Sequence, residues 1–154
     1  MESLKTTLEL SEKLSLAYQN MLKGFSTEQL NKIPEGYKNN LIWNIAHTIA
    51  TQQILVYKQS QLNPIIPNEF ILQFQKDTKP EKDLSSQEIE DIGELLVHVE
   101  QTTKKDLQEG IFRRYATYTT GVGLKLTSVE AAAEFSNFHC GVHLGIMMRM
   151  KHLL

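Results

Sequence analysis

The chain has 154 residues, of which 41% are hydrophobic and 22% are charged, a composition that excludes a disordered or fibrous protein. The 16 basic and 18 acidic residues give a formal net charge of -2, so we expect no nucleic-acid partner and no anionic membrane partner. Because a chain of this length fits one folding unit, we expect residues 1–154 to form a single domain.

The single cysteine, Cys140, excludes an intramolecular disulfide and with it a disulfide-stapled secreted domain. The first residues lack the basic and apolar regions of a signal peptide. No stretch approaches the roughly 18 uncharged apolar residues that span a membrane. We therefore expect a cytoplasmic protein.

The first predicted element is an amphipathic helix that ends at Gly24. On a helical wheel its apolar residues share one half of the circumference. They are Leu4, Leu8, Leu10, Leu14, Ala17, Tyr18, Met21 and Leu22. Beyond it, Ser26 followed by Gln29 resembles a capping box, which predicts a short helical turn before the break at Pro34-Glu35-Gly36.

The second long helix is predicted over residues 41–60, with Asn39 or Asn40 as its N-cap and prolines ending it. Its apolar residues cover more than half of the circumference, so we expect it to be the most buried helix. The long connection that follows, residues 63–82, contains an apolar patch at residues 70–74 that predicts a short helix.

The third and fourth long helices each begin with a capping pattern. Ser85 to Glu88 predicts the start of the third helix, which Gly110 ends. Residues 111–126 show no clear period and are interpreted as a loop. Thr127 to Glu130 repeats the capping pattern, and the fourth helix is predicted to run to the C-terminus. Four helices of this length predict an all-α four-helix bundle with long connections between helices 2 and 3 and between helices 3 and 4.

Two histidines of the fourth predicted helix, His139 and His143, lie in the middle of its apolar arc. That arc contains Val129, Ala131, Ala132, Phe135, Val142, Ile146, Met147, Met150 and Leu153, whereas Asn137 falls on the polar side. Four residues apart, the two imidazoles lie about 40° around and about 6 Å along the axis, so both can converge on one point. A metal ion would satisfy both ring nitrogens, whereas hydrogen bonds to core hydroxyl or carbonyl groups are the alternative.

A third nitrogen from His47 of the second predicted helix would complete a three-histidine metal site with positions left for water or substrate. Three imidazoles do not distinguish Zn from Ni, Cu, Fe or Mn. His98 and His152 fall on polar faces and are interpreted as surface residues, and Cys140 as a packed thiol. The pair Arg113-Arg114 is interpreted as solvated, unless its loop folds over the site and binds an anionic substrate.

Two motifs resemble a known family. Asn40-Leu41-Ile42-Trp43-Asn44-Ile45-Ala46-His47 is an Asn-x-x-Trp-x-x-x-His pattern, and Phe138-His139-Cys140-Gly141-Val142-His143-Leu144-Gly145 follows near the C-terminus. Both are similar to motifs of the DinB-like, or YfiT-like, four-helix-bundle metalloproteins. The resemblance implies an up-down-down-up bundle in which His47, His139 and His143 bind a divalent metal, commonly nickel or zinc. Related members are thiol-dependent S-transferases and isomerases that use bacillithiol or mycothiol.

These observations lead to a functional hypothesis without an assigned catalytic residue. A mononuclear three-histidine site lowers the pKa of a low-molecular-weight thiol, which attacks a small-molecule electrophile. In this hypothesis Trp43 walls the pocket and Asn40 positions the start of the helix. A metal-dependent hydrolase, a non-catalytic metal- or small-molecule-binding bundle and purely structural histidines are the alternatives. Apolar residues outside the core, Leu16, Leu144 and Met148, favour a homodimer.

Overall fold

The computed structural model describes residues 2–154 and is all-α apart from one short hairpin. Its helices are α1 (Glu2–Gly24), α2 (Thr27–Asn31), α3 (Leu41–Gln53), α4 (Asn68–Phe74), α5 (Ser86–Glu109) and α6 (Val129–Met150). A π-helical turn (Ile54–Lys58) continues α3, and a 3-10 turn (Lys151–Leu153) follows α6. The strands β1 (Tyr118–Thr119) and β2 (Lys125–Leu126) pair antiparallel.

The four long helices form an up-down-down-up bundle, and paired residues show their directions. Helices α1 and α6 run parallel, since the Ser3 hydroxyl donates to Glu134 and the Asn137 amide donates to the Thr7 carbonyl. Helices α1 and α5 run antiparallel, because Lys104 pairs with Glu12 at one end and Gly93 lies against Leu22 at the other. Helix α3 runs antiparallel to α6. The predicted four-helix bundle is therefore confirmed.

The local signals in the sequence explain where most helices begin and end. Ser26 and Ser85 both form complete capping boxes, and Asn40 caps α3 by accepting from the Trp43 amide at 2.9 Å. Gly110 ends α5 in the left-handed conformation, at φ 64° and ψ 40°. At α6 the cap lies one residue later than the Thr127 pattern predicts, because the Ser128 hydroxyl accepts from the Ala131 amide.

The helix predicted over residues 41–60 is present, but its last part is not α-helical. Its first 13 residues are α-helical, and every residue from Leu41 to Ala50 is buried, as expected for the most buried helix. From Ile54 the hydrogen bonds change to the π pattern, and the Gln59 amide donates to the Ile54 carbonyl at 3.1 Å. The buried Gln53 accepts from the Ile65 amide, which ties the following connection to this turn.

The loop predicted over residues 111–126 is present, but it contains the short hairpin, which the sequence did not predict. Tyr118 pairs with Leu126 and Thr119 with Lys125. Gly123 takes a φ of 83° in the turn, a conformation that favours glycine. Strands of two residues are too short to show a period of two, which explains why the sequence pattern did not reveal them.

Helix α6 is rotated relative to its predicted face. Val142, placed on the apolar arc, is 44% exposed, whereas Asn137, placed on the polar side, is buried. Leu153, also placed on the arc, lies in the 3-10 turn after α6 and is 41% exposed. The contact with α1 causes this rotation, since the Asn137 amide donates to the Thr7 carbonyl at 2.7 Å and is thereby satisfied. His139 and His143 are consequently half-buried at the edge of the packed face rather than in its middle.

The predicted burial of four other apolar residues is only partly correct. Leu10, assigned to the buried face of α1, is 49% exposed, which is a correction. Leu16 and Met148 are each 50% exposed, as predicted, but Leu144 packs against the core.

Among residues 2–154 the structure contains no helix that combines the length and the apolar character needed to cross a membrane.

Candidate metal centre

The structure brings together the three histidines that the sequence singles out. His47 lies on α3, and His139 and His143 lie one turn apart on α6. One ring nitrogen from each lies within 4.8 Å of the corresponding atom of the other two. The ring centroids are separated by 4.5 to 5.1 Å. Antiparallel packing of α3 against α6 creates this cluster, which joins residues about 90 positions apart in the sequence.

Two of the three imidazoles are oriented by acceptors on their Nδ1 atoms. The Nδ1 of His47 lies 2.7 Å from the main-chain carbonyl oxygen of Phe74, and the Nδ1 of His143 lies 2.7 Å from Oδ1 of Asn44. Because a carbonyl oxygen only accepts, each Nδ1 carries the proton and each Nε2 presents its lone pair. This is the tautomer that a metal-binding histidine needs.

The side chain of Asn44 is itself held in one orientation. Its Nδ2 donates to the Asn40 carbonyl at 2.7 Å and to Oδ1 of Asn39 at 3.0 Å. With the amide nitrogen committed to these two acceptors, Oδ1 is the atom left facing His143. The N-terminal end of α3 therefore positions a ring on α6 through a chain of hydrogen bonds.

Trp43 forms one wall of the cluster. Its indole ring stacks on the His47 imidazole at 4.7 Å with an interplanar angle of 8°. The indole N–H donates to the Thr78 hydroxyl at 3.2 Å, which links the wall to the connection between α4 and α5. The expected roles of Trp43 and Asn40 thus have a structural basis, since Asn40 caps the helix that carries both Trp43 and His47.

Burial keeps the three imidazoles in their neutral form. Desolvation lowers the pKa of His47 despite its hydrogen bond to Phe74. Desolvation and the neighbouring His47 lower the pKa of His139 to about 4, and desolvation with both neighbours lowers that of His143 to about 3. At neutral pH no proton has to be displaced before the rings act as ligands.

The cluster fits one transition-metal ion with a small adjustment. Nitrogens bound to one ion at about 2.0–2.1 Å in tetrahedral geometry lie about 3.3–3.4 Å apart, so the widest pair of the cluster, within 4.8 Å, closes by up to about 1.5 Å around an ion. Neutral imidazoles with oriented rings suit zinc, nickel, copper and iron alike. His139 and His143 are only partly buried, so the cluster lies near the surface of the bundle.

The remaining candidates lie away from the cluster. His98 and His152 are exposed, as predicted. The Cys140 thiol is packed, and its burial raises its pKa to about 11, which disfavours a thiolate. Arg113 and Arg114 are exposed, and their loop is held at the end of the π-helical turn, where the Ala116 amide donates to the Gln59 carbonyl.

Sequence reasoning missed three groups around the histidines. Asn44 was an available signal, because it lies one turn before His47 on the same helix. The Phe74 carbonyl carries no signal, since any residue offers a main-chain oxygen. The Thr51 hydroxyl lies 3.4 Å from Nε2 of His47, one turn after it, and its spacing alone does not distinguish it from a helix-surface threonine.

A protein-family model matches most of the chain. The family model described as the DinB superfamily matches residues 12–147, a range that includes all three histidines and both motifs. Among curated proteins no match is found.

Proposed function

Because the chain belongs to the DinB superfamily, and because three imidazoles lie together, two of them oriented by hydrogen bonds, we propose that His47, His139 and His143 bind one divalent transition-metal ion. The observation that carries the proposal is the pair of Nδ1 contacts, since they commit the Nε2 atoms of two rings to act as ligands. If these hydrogen bonds served only to stabilise buried histidines, the three imidazoles would not need to lie close enough together to share one ion.

We further propose that the site transfers a low-molecular-weight thiol to a small electrophile. A bound divalent ion supplies positive charge that lowers the pKa of a thiol at the site. The residues of this chain orient the rings and exclude water on one side, where the Trp43 indole covers His47. The other side, at the half-exposed rings of His139 and His143, admits the substrates.

The experiment uses protein purified without a histidine tag, analysed for metal and for thiol consumption across a panel of electrophiles. We expect close to one ion, nickel or zinc, per chain, and thiol consumption that a chelator abolishes. Metal far below stoichiometry that His143→Ala leaves unchanged would contradict the metal site. Full metal content without thiol consumption would instead support a non-catalytic binding bundle. His152→Ala, on the exposed C-terminal turn, is the matched control.

The hydrogen bond from His143 to Asn44 gives a sharper test of how the site is built. In Asn44→Ala the ring loses its acceptor, and we expect metal affinity to fall by about 10–100-fold. The measurement is competition with a chromogenic chelator on protein that circular dichroism shows to be folded. Asn20→Ala, an exposed position on α1, serves as control. An unchanged affinity in Asn44→Ala would show that Asn44 has no part in ligand orientation.

A homodimer and a cytoplasmic location stay predictions. The exposed apolar side chains on α1 and α6 support the dimer: Leu10, Leu16, Phe138, Val142 and Met148.

A further inference from the structure

The interior of the bundle contains a cavity of about 70 Å³ that is separate from the histidine cluster. Residues of α1, α3, α5 and α6 line it. Its wall includes Thr48 and Cys140, which follow His47 and His139 in sequence and so face a different side of their helices. The cavity and the candidate metal centre therefore lie on two faces of the same helix pair.

The lining is largely apolar, but it also contains polar side chains at positions where a four-helix bundle normally packs aliphatic ones. Each of the four helices contributes polar groups to it, among them Ser11, Ser15, Gln52, Glu100, Thr103 and Ser136. Small hydroxyl side chains leave space that leucine would fill. The aliphatic part of the wall comes from residues such as Leu96 and Val99. The cavity is therefore suited to a ligand with one polar end and a short apolar body.

Two polar atoms on this wall have no hydrogen-bond partner within residues 2–154. They are Oε1 of Glu100 and Oγ of Ser136, both without solvent contact. Ser136 as a whole is 6% exposed. Buried polar atoms are nearly always paired, so two unpaired atoms on one cavity wall indicate a missing partner. A carboxylate oxygen only accepts, and a hydroxyl oxygen accepts as well as donates, so a single donor group satisfies both atoms.

The charges beside Glu100 favour a cation. Lys104 pairs with Glu12 between α5 and α1, and Glu100 lies one turn before Lys104. Two carboxylates share this single ammonium group. Burial and the neighbouring Glu12 raise the pKa of Glu100, and Lys104 offsets this effect only in part. A second cation would relieve the uncompensated carboxylate.

We propose that the cavity binds a small primary alkylammonium ion, whose N–H groups donate to Glu100 and Ser136 and whose alkyl chain packs against Leu96 and Val99. The volume sets the size of the chain. A cavity of about 150 Å³ accommodates benzene, which has six heavy atoms. The cavity in this protein has about half of that volume, so it suits a ligand of about three or four heavy atoms. Ethylammonium and propylammonium are ligands of this size.

The test is calorimetric titration of the metal-free protein with propylammonium and with 1-propanol, which has the same number of heavy atoms. We expect saturable propylammonium binding with a Kd between about 0.1 and 10 mM, and no comparable binding of the alcohol. In Glu100→Gln the affinity should fall by about tenfold or more, because a charge-assisted hydrogen bond is lost. Glu94→Gln, an exposed position on the same helix, is the matched control and should bind as the wild type does.

Three results would overturn the proposal. The first is the absence of saturable propylammonium binding, which is expected if only water or the Lys104 side chain fills the cavity. The second is equal binding of 1-propanol, and the third is an unchanged affinity for propylammonium in Glu100→Gln. If Glu100→Gln does not fold, Ser136→Ala replaces it, with an expected loss of a few-fold. Because the titration is done without metal, its outcome is independent of whether the histidines bind an ion.

Discussion

Adding zinc or nickel to metal-free protein is expected to raise Tm by about 8–16 °C at a free-ion concentration about 1,000 times Kd. Ligand that binds only the folded chain contributes about 4 kcal/mol at that concentration, and a domain of this size gains about 2–4 °C per kcal/mol. In His143→Ala the gain should disappear almost completely. Two remaining imidazoles hold the ion weakly, and the Asn44 acceptor no longer orients a ligand.

Differential scanning calorimetry with and without a chelator measures this effect. His98→Ala, on the exposed face of α5, should keep the full increase. An increase in the His143→Ala protein equal to that of the wild type would show that the ion binds elsewhere on the chain. No increase in the wild type would remove the metal from the proposed function and leave three hydrogen-bonded histidines.

Replacing Trp43 with alanine should give the second large effect, a loss of about 3–5 kcal/mol in the free energy of unfolding. Trp43 is 6% exposed, stacks on His47 and donates to Thr78, so the substitution leaves a cavity and an unsupported ring. At about 2–4 °C per kcal/mol, Tm of the metal-free protein should fall by about 6–20 °C.

Chemical denaturation of the metal-free proteins checks this expectation. Trp43→Phe keeps the aromatic surface against His47 and should recover a large part of the loss. Leu72→Ala removes a side chain of similar hydrophobic character that is 54% exposed, and its effect should stay within about 0.5 kcal/mol. A Trp43→Ala protein as stable as Leu72→Ala would show that the stacked pair contributes little to folding.

The sequence carries strong local signals for the fold because capping chemistry acts over three or four residues. Ser85, Asn40 and Gly110 each mark a helix end that the structure shows. The sequence does not carry a comparable local signal for which side of α6 is buried. The buried side includes Asn137, whose amide donates to the Thr7 carbonyl of α1, and this contact depends on how α1 packs against α6. The hairpin was missed because two-residue strands have no measurable period.

The residues of the candidate site show the same difference between local signals and tertiary packing. The spacing of His139 and His143 is a property of one helix and was visible in the sequence. That His47 joins them depends on the antiparallel packing of α3 and α6. The sequence named His47 as a candidate third ligand, but it did not show that the two helices face each other. The acceptors for Nδ1 depend on tertiary contacts, and one of them is a main-chain oxygen.

That main-chain oxygen has a consequence for how the protein tolerates change. A point substitution at Phe74 alters the side chain but keeps the group that holds His47. Inserting or deleting a residue between the π-helical turn and α4 would instead displace the oxygen and free the ring to rotate. Over this stretch, the number of residues is therefore under stronger constraint than their identity.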